Sequence, residues 1–179
     1  MYKGNAEKGE IEITKEVSVY KNGFIELFDD EVVFPGGNTG RYFRLKRETD
    51  YGVTVIATQD DKLLLLEEFR HQERQWVLTT PTGGSEPDMA PYDCAEKELR
   101  EESGYIADKL TPLLKVKTGH DHDVHVFIAH NLEFVGQKLE DTECIRNARF
   151  YSKDECRHLL MRGECSELTT LCILAFLML

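Results

Sequence analysis

The chain lacks any long apolar run. Its start, Met1-Tyr2-Lys3-Gly4-Asn5, has no secretory-type hydrophobic stretch, and the apolar run over residues 171–179 is far too short to span a bilayer. A soluble, cytoplasmic protein with no membrane association is expected. Basic residues are also in short supply. The 22 Lys and Arg stand against 33 Asp and Glu, and a formal charge of -11 argues against nucleic-acid backbones as partners. A small anionic substrate would need local help from a metal or a few basic side chains. Cysteine is sparse and unpatterned: Cys94, Cys144, Cys156, Cys165 and Cys172 form no C-x-x-C pair and are odd in number. Neither a zinc knuckle nor a disulfide framework is suggested, and buried reduced thiols are expected. Repeats, low-complexity runs and long linkers are missing too.

What is present is a globular composition. At 179 residues, 41% hydrophobic and 31% charged, the chain can build one core-bearing domain with a small N-terminal addition. Alternation in Ile11-Glu12-Ile13-Thr14, Phe24-Ile25-Glu26-Leu27 and Tyr42-Phe43-Arg44-Leu45 predicts a small antiparallel β unit over residues 1–47. Asn22-Gly23 and Pro35-Gly36-Gly37-Asn38 are its turns. The main domain, residues 48–179, continues with strands over 52–57 and 62–67 about a Gln59-Asp60-Asp61 turn, then a strand over 76–79. A glycine-containing loop, Pro81-Thr82-Gly83-Gly84, leads into a helix over 91–103; Pro91 suits its first turn and Gly104 the position just past its end. Strands over 113–117, 124–129 and 148–151 precede two helices, 153–162 and 166–178, interrupted at Gly163. This order predicts an α+β fold with a mixed sheet between helices.

In Glu98-Leu99-Arg100-Glu101-Glu102 the carboxylates stand at i, i+3 and i+4, within roughly 100° of arc on one helix face. Like charges so spaced destabilise an isolated helix, and Lys97 offsets only part of this through its i+4 neighbour Glu101. A bound dication would remove the conflict, and Mg2+ favours carboxylate oxygens together with waters and substrate phosphates. Glutamate is also a good helix former, so a solvated acidic face is the plain alternative.

With their surroundings these residues resemble the Nudix box, G-x5-E-x7-R-E-U-x-E-E-x-G-U, in which U is bulky and apolar. Gly83 and then Lys97-Glu98-Leu99-Arg100-Glu101-Glu102-Ser103-Gly104-Tyr105 fall in register without a gap. The resemblance covers most of the chain and is nearest the ADP-ribose pyrophosphatase branch. It runs through Glu68-Phe69-Arg70-His71, Trp76-Val77-Leu78, Pro81-Thr82-Gly83, Glu86-Pro87, Thr142-Glu143-Cys144-Ile145 and the stretch from Arg162-Gly163-Glu164 to Leu171. It implies a Nudix-like α/β/α sandwich and a Mg2+-dependent hydrolase, with Mn2+ a substitute, acting on a nucleoside diphosphate linked to another moiety such as ADP-ribose or a nucleotide sugar. It also implies Glu98 and Glu102 as principal metal ligands and catalytic residues, Glu101 as a further or water-mediated ligand, and the Thr82 carbonyl as a backbone ligand. Arg70 would hold a phosphate or the terminal ribose with its planar fork. Trp76 would stack a base, although a lone Trp beside a strand is more often core or interface, and Gly83 would lie among the substrate-binding residues. An acid on a late loop would take a proton from water; Asp141 aligns best, with Glu143 and Glu140 behind it. A homodimer through the N-terminal strands, completing the substrate pocket from the partner chain, is implied as well.

The pattern is broken where Met89 replaces the box glutamate, Lys97 the arginine, and Thr79 the glutamate of the branch's W-x-L-E segment. Lys97 keeps the charge without the bidentate fork, and Met89 removes a carboxylate. The branch's proline some fifteen residues after the box is absent from Lys117-Thr118-Gly119-His120-Asp121. These departures leave open a nucleotide-binding module of the same fold with weakened catalysis. A zinc-dependent hydrolase is a third reading, since His120-Asp121-His122-Asp123-Val124-His125 nearly copies an H-x-H-x-D-H motif, failing at Val124. His122 or Asp123 could instead lie near the metals of the Nudix reading.

Overall fold

The computed structural model describes residues 1–118 and 122–179. The chain divides into two compact units, Met1–Asp50 with Lys117–Asp123, and Tyr51–Val116 with Val124–Leu179.

In the first unit, β1 (Glu12–Lys15), β2 (Ser18–Lys21), β3 (Ile25–Val33) and β4 (Thr39–Arg47) form an antiparallel sheet in which β3 pairs with the other three. β2 is absent from the sequence expectation because all four of its residues are exposed, so no burial pattern marks it. The Asn22 side chain accepts from the amides of Phe24 and Ile25 at 2.8 and 2.9 Å and so makes the turn before β3. A buried charge needs a partner. Asp30, 2% exposed, receives Arg44 at 2.9 Å and the Val17 amide at 3.2 Å.

In the second unit, β5 (Tyr51–Gln59), β6 (Lys62–Arg70), β7 (Gln75–Thr79), β8 (Thr82–Gly84), β9 (Tyr105–Lys117), β10 (Asp123–Phe134) and β11 (Ile145–Ser152) form a seven-stranded sheet. Its path is β11-β6-β5-β10-β9, with β7 added to β6 and β8 to β5. Helix α1 (Pro91–Ser103) packs on one face, and α2 (Lys153–Arg162) and α3 (Glu167–Met178) on the other. The reason lies in β5, a strand buried on both sides. Val53, Val55 and Ala57 join Cys94, Ala95 and Leu99 of α1, whereas Ile56 joins Leu159 of α2 and Ile173 and Phe176 of α3. This is the α+β, helix-sheet-helix arrangement expected from the sequence.

Helix α1 has the predicted bounds. Gly104 closes it at φ 77°, and a β-carbon there would stand 2.6 Å from the Gln137 amide nitrogen, so no other residue fits. Ser152 and Glu155 form a capping box on α2, and Ser166 caps α3. The expected loop at Pro81-Thr82-Gly83-Gly84 is instead mostly β8, because Thr82, Gly83 and Gly84 pair with Thr54, Val53 and Gly52. β9 is much longer than expected, since most of its side chains are exposed and leave no apolar alternation. All five cysteines are free; Cys94, Cys156 and Cys172 are buried as expected, but Cys144 is exposed just before β11. No described helix is long and apolar enough to cross a membrane.

Candidate metal and catalytic site

The helix spacing of α1 separates its glutamates into two groups. Glu98 and Glu102, one turn apart, are each only 8% exposed. Strand β8 runs beside them. Gly83 has no side chain, and a β-carbon there would lie 2.0 Å from Glu98 Oε1, so the Glu98 carboxylate rests directly against the strand backbone. The Thr82 amide donates to Glu102 Oε2 at 2.7 Å. Glu143, on the turn before β11, completes the set: one carboxylate oxygen from each of Glu98, Glu102 and Glu143 lies within 4.8 Å of the others.

The two buried acids of the set, Glu98 and Glu102, resist ionisation. Burial, opposed by Lys97 and reinforced by Glu143, Glu101 and Glu140, pushes Glu98 up to about 7. Burial raises Glu102 well above the carboxylate range against the pull of the Thr82 amide, with Glu98, Glu143 and Glu68 adding to the rise. Oxygen donors converging in this way suit a hard divalent cation, and binding one would displace the protons.

Glu101, one of the expected ligands, faces elsewhere. It pairs with Lys97 Nζ at 2.9 Å, and the same ammonium reaches Glu86 at 2.7 Å and Glu140 at 3.3 Å. Lys97 therefore ties α1 to the segment before it and to the late acidic loop. A compact ammonium can meet carboxylates in three directions, which a planar guanidinium fork cannot do as readily. The loop then holds Glu143: the Glu140 amide donates to Glu143 Oε2 at 2.7 Å, and the Glu143 amide to the Glu140 carbonyl at 3.1 Å. Asp141, the best-aligned of the loop acids, is exposed and outside the cluster. Met89 packs against the α1 layer, and its carbonyl accepts from the Tyr51 hydroxyl. Thr79 is buried on β7, opposite Leu66.

Arg70 lies at the edge of the same acidic region, its Nε donating to Glu68 at 2.9 Å, and Glu68 is close enough to act on Glu102. Trp76 meets Phe69 edge-on at 5.6 Å, and the Arg146 guanidinium covers its ring at 4.0 Å. His71 pairs with Arg74 at 2.8 Å. Among the described residues, the group suited to a metal is Glu98, Glu102 and Glu143. His122, Asp123 and His125 do not belong to it, and His120 and Asp121 lie outside the described residues. The sequence reading missed the hydroxyls of Thr54 and Thr80, which bear on Thr82 through bonds of 2.8 to 2.9 Å. The trace of Thr80 in the sequence is the threonine-rich run Thr79-Thr80-Pro81-Thr82, whereas Thr54 stands alone among its apolar neighbours on β5.

The NUDIX domain family matches residues 48–167. An ADP-ribose pyrophosphatase of Bacillus subtilis (strain 168) is 31% identical over 132 residues, covering 72% of this chain and 70% of its own. A CMP-5'-(N-acetyl-N-hydroxy-3-aminopropyl)phosphonate hydrolase of Streptomyces rubellomurinus is 27% identical over 151 residues, covering 82% of this chain and 71% of its own. Among solved structures, an ADP compounds hydrolase matches with a TM-score of 0.78 over 92% of this chain and 90% of that one; at 19% identity the two share a fold. The chain thus belongs to the Nudix family, related to its ADP-ribose pyrophosphatases, and is a pyrophosphohydrolase of a family whose hydrolases use a divalent metal.

Proposed function

We propose that this chain hydrolyses, with Mg2+ or Mn2+, the diphosphate of a nucleoside diphosphate joined to a second moiety, with ADP-ribose and nucleotide sugars the leading substrates. The convergence of Glu98, Glu102 and Glu143 on one point beside β8 carries this reading. A divalent metal bound there supplies a polarised diphosphate and a water of lowered pKa. The chain's own residues do the rest. Glu98 and Glu102 present oxygens, Glu102 oriented by the Thr82 amide. Glu143 takes the proton of the attacking water in this reading, ahead of the exposed Asp141. Arg70 offers a planar fork to a phosphate. The substrate class draws support from relatives named for ADP-ribose and for a CMP-linked phosphonate, both of them nucleotides joined to a second moiety.

The test is to incubate the full chain with Mg2+ and a panel of nucleotide diphosphates, following product release by chromatography, and to repeat it with Glu102→Gln. Turnover by the wild type, and its loss in the variant with nucleotide binding retained, is expected. Binding without release on every substrate would leave a nucleotide-binding module instead. We also propose that the N-terminal unit joins two copies, since Val19, Tyr20, Phe24, Tyr42 and Phe43 are exposed on it. Sedimentation showing only monomer would remove that part. Five free thiols suit a reducing compartment, and we place the enzyme in the cytoplasm.

A further inference from the structure

A buried set of hydroxyls lies beside the acidic cluster, and the reaction described above gives it no task. Thr54 on β5 is fully buried on the side of the sheet that Ile56 shares with α2 and α3. Its Oγ1 lies 2.8 Å from Thr80 Oγ1, 2.9 Å from Thr82 Oγ1, 3.2 Å from the Pro81 carbonyl and 3.9 Å from Cys172 Sγ of α3. The Thr82 hydroxyl donates to the Thr80 carbonyl at 2.8 Å. The Thr80 amide donates to Thr169 Oγ1 of α3 at 3.3 Å, an oxygen that also receives Ser166 Oγ at 2.9 Å.

A hydroxyl has one proton to give. Thr82 gives its proton to the Thr80 carbonyl, so the single proton of Thr54 faces two acceptors, the Thr82 hydroxyl oxygen and the Pro81 carbonyl, and Thr80 is free to donate to Thr54. Whichever acceptor it takes, the Thr54 hydroxyl binds the 80–82 segment. Packing alone would be served by valine at position 54, which has the same shape and no desolvation penalty to offset. What the hydroxyls hold is the segment 80–82, pinned between β5 and α3. Its Thr82 amide is the group that donates to Glu102, and the next residue is the Gly83 on which Glu98 rests.

We propose that Thr54 is a positioning residue for the metal site, its hydroxyl fixing the Thr82 amide and, through that amide, the Glu102 carboxylate. The proposal rests on the reading of Glu102 as a metal ligand. The experiment is an Mn2+ titration followed by electron paramagnetic resonance, without substrate, on the full chain and its Thr54→Val, Thr54→Ser, Thr58→Val and Glu102→Gln variants. Thr54→Val is expected to weaken Mn2+ binding by about 10-fold or more, the usual scale for a partner that orients a ligand. Thr54→Ser returns the hydroxyl and the affinity. Thr58→Val removes another buried hydroxyl of β5, one bonded to His130 at 2.7 Å, and leaves the affinity unchanged. Thr54→Val binding Mn2+ as tightly as the wild type, or Thr54→Ser failing to restore it, would overturn the role. Glu102→Gln separates the two levels. If it too binds as the wild type, the metal-site reading falls; if it weakens while Thr54→Val does not, only the positioning role falls. Should Thr54→Val not fold, Thr82→Ala removes a less buried hydroxyl of the same set while keeping the amide. Weakened Mn2+ binding then supports the role, and undiminished binding refutes it.

Discussion

Glu98→Gln keeps the shape of the side chain that lies across Gly83 and removes only its charge. In the folded protein Glu98 is pushed to about 7, chiefly by burial, against 4.5 as the ordinary value that the unfolded chain would show. A carboxyl whose folded pKa is raised binds more protons in the folded state, so its contribution to stability is complete below 4.5 and is lost as pH rises through about 7. At about 1.36 kcal/mol per pH unit, the loss comes to about 3 kcal/mol. Glutamine does not titrate and escapes it. Urea unfolding in EDTA, followed by fluorescence of the single tryptophan, should show the variant and wild type nearly level at pH 4.5. The variant should then gain steadily, to an advantage of about 3 kcal/mol by pH 8. Mn2+ should narrow that advantage at pH 8, because it stabilises only the protein that binds it. A gap that does not change with pH, or a variant less stable than wild type at pH 8, would refute the account of Glu98 as a charge held in a poorly hydrated place.

Glu143→Gln should lower kcat by about 10²- to 10⁴-fold with little change in KM, while Asp141→Asn stays near wild type; steady-state kinetics with equal losses in both would take the base role from Glu143. Gly83→Ala puts a carbon 2.0 Å from Glu98 Oε1, so circular dichroism should show an intact fold and Mn2+ titration a loss of about 10-fold or more. Lys97→Met leaves Glu86, Glu101 and Glu140 without their shared ammonium. Half-exposed pairs contribute about 0.2–1 kcal/mol each, so urea unfolding should show a loss of about 1–2 kcal/mol, with Lys97→Arg restoring only part of it, since a planar fork does not reach all three carboxylates.

Helix α1 was legible because its signals are local: Pro91 opens it, Gly104 closes it, and the glutamate spacing lies within two turns. The sheet order and the face of each glutamate were not local facts. Spacing of i, i+3 and i+4 put Glu98, Glu101 and Glu102 on one arc, but the choice between facing β8 and facing Lys97 depends on where Gly83 and Glu140 arrive in space. The same holds for the loop acids, where a bond from the Glu140 amide selects Glu143 and leaves Asp141 in solvent. β8 could not be read from a Pro-Thr-Gly-Gly string, since its partner Thr54 stands far back in the sequence. Sequence patterns report burial periodicity, so exposed β2 and most of β9 left little to find.

The alternation along β5 has a consequence for how the second unit comes apart. Five successive residues, 53–57, are fully buried, and they feed the layers above and below the sheet in turn. Neither layer can lose its order without stripping side chains from the other, so the two are bound into one cooperative transition. A ligand gripped by Glu98, Glu102 and Glu143 therefore delays the melting of α2 and α3 on the face opposite α1. A reporter placed anywhere in this unit can read the occupancy of the acidic cluster.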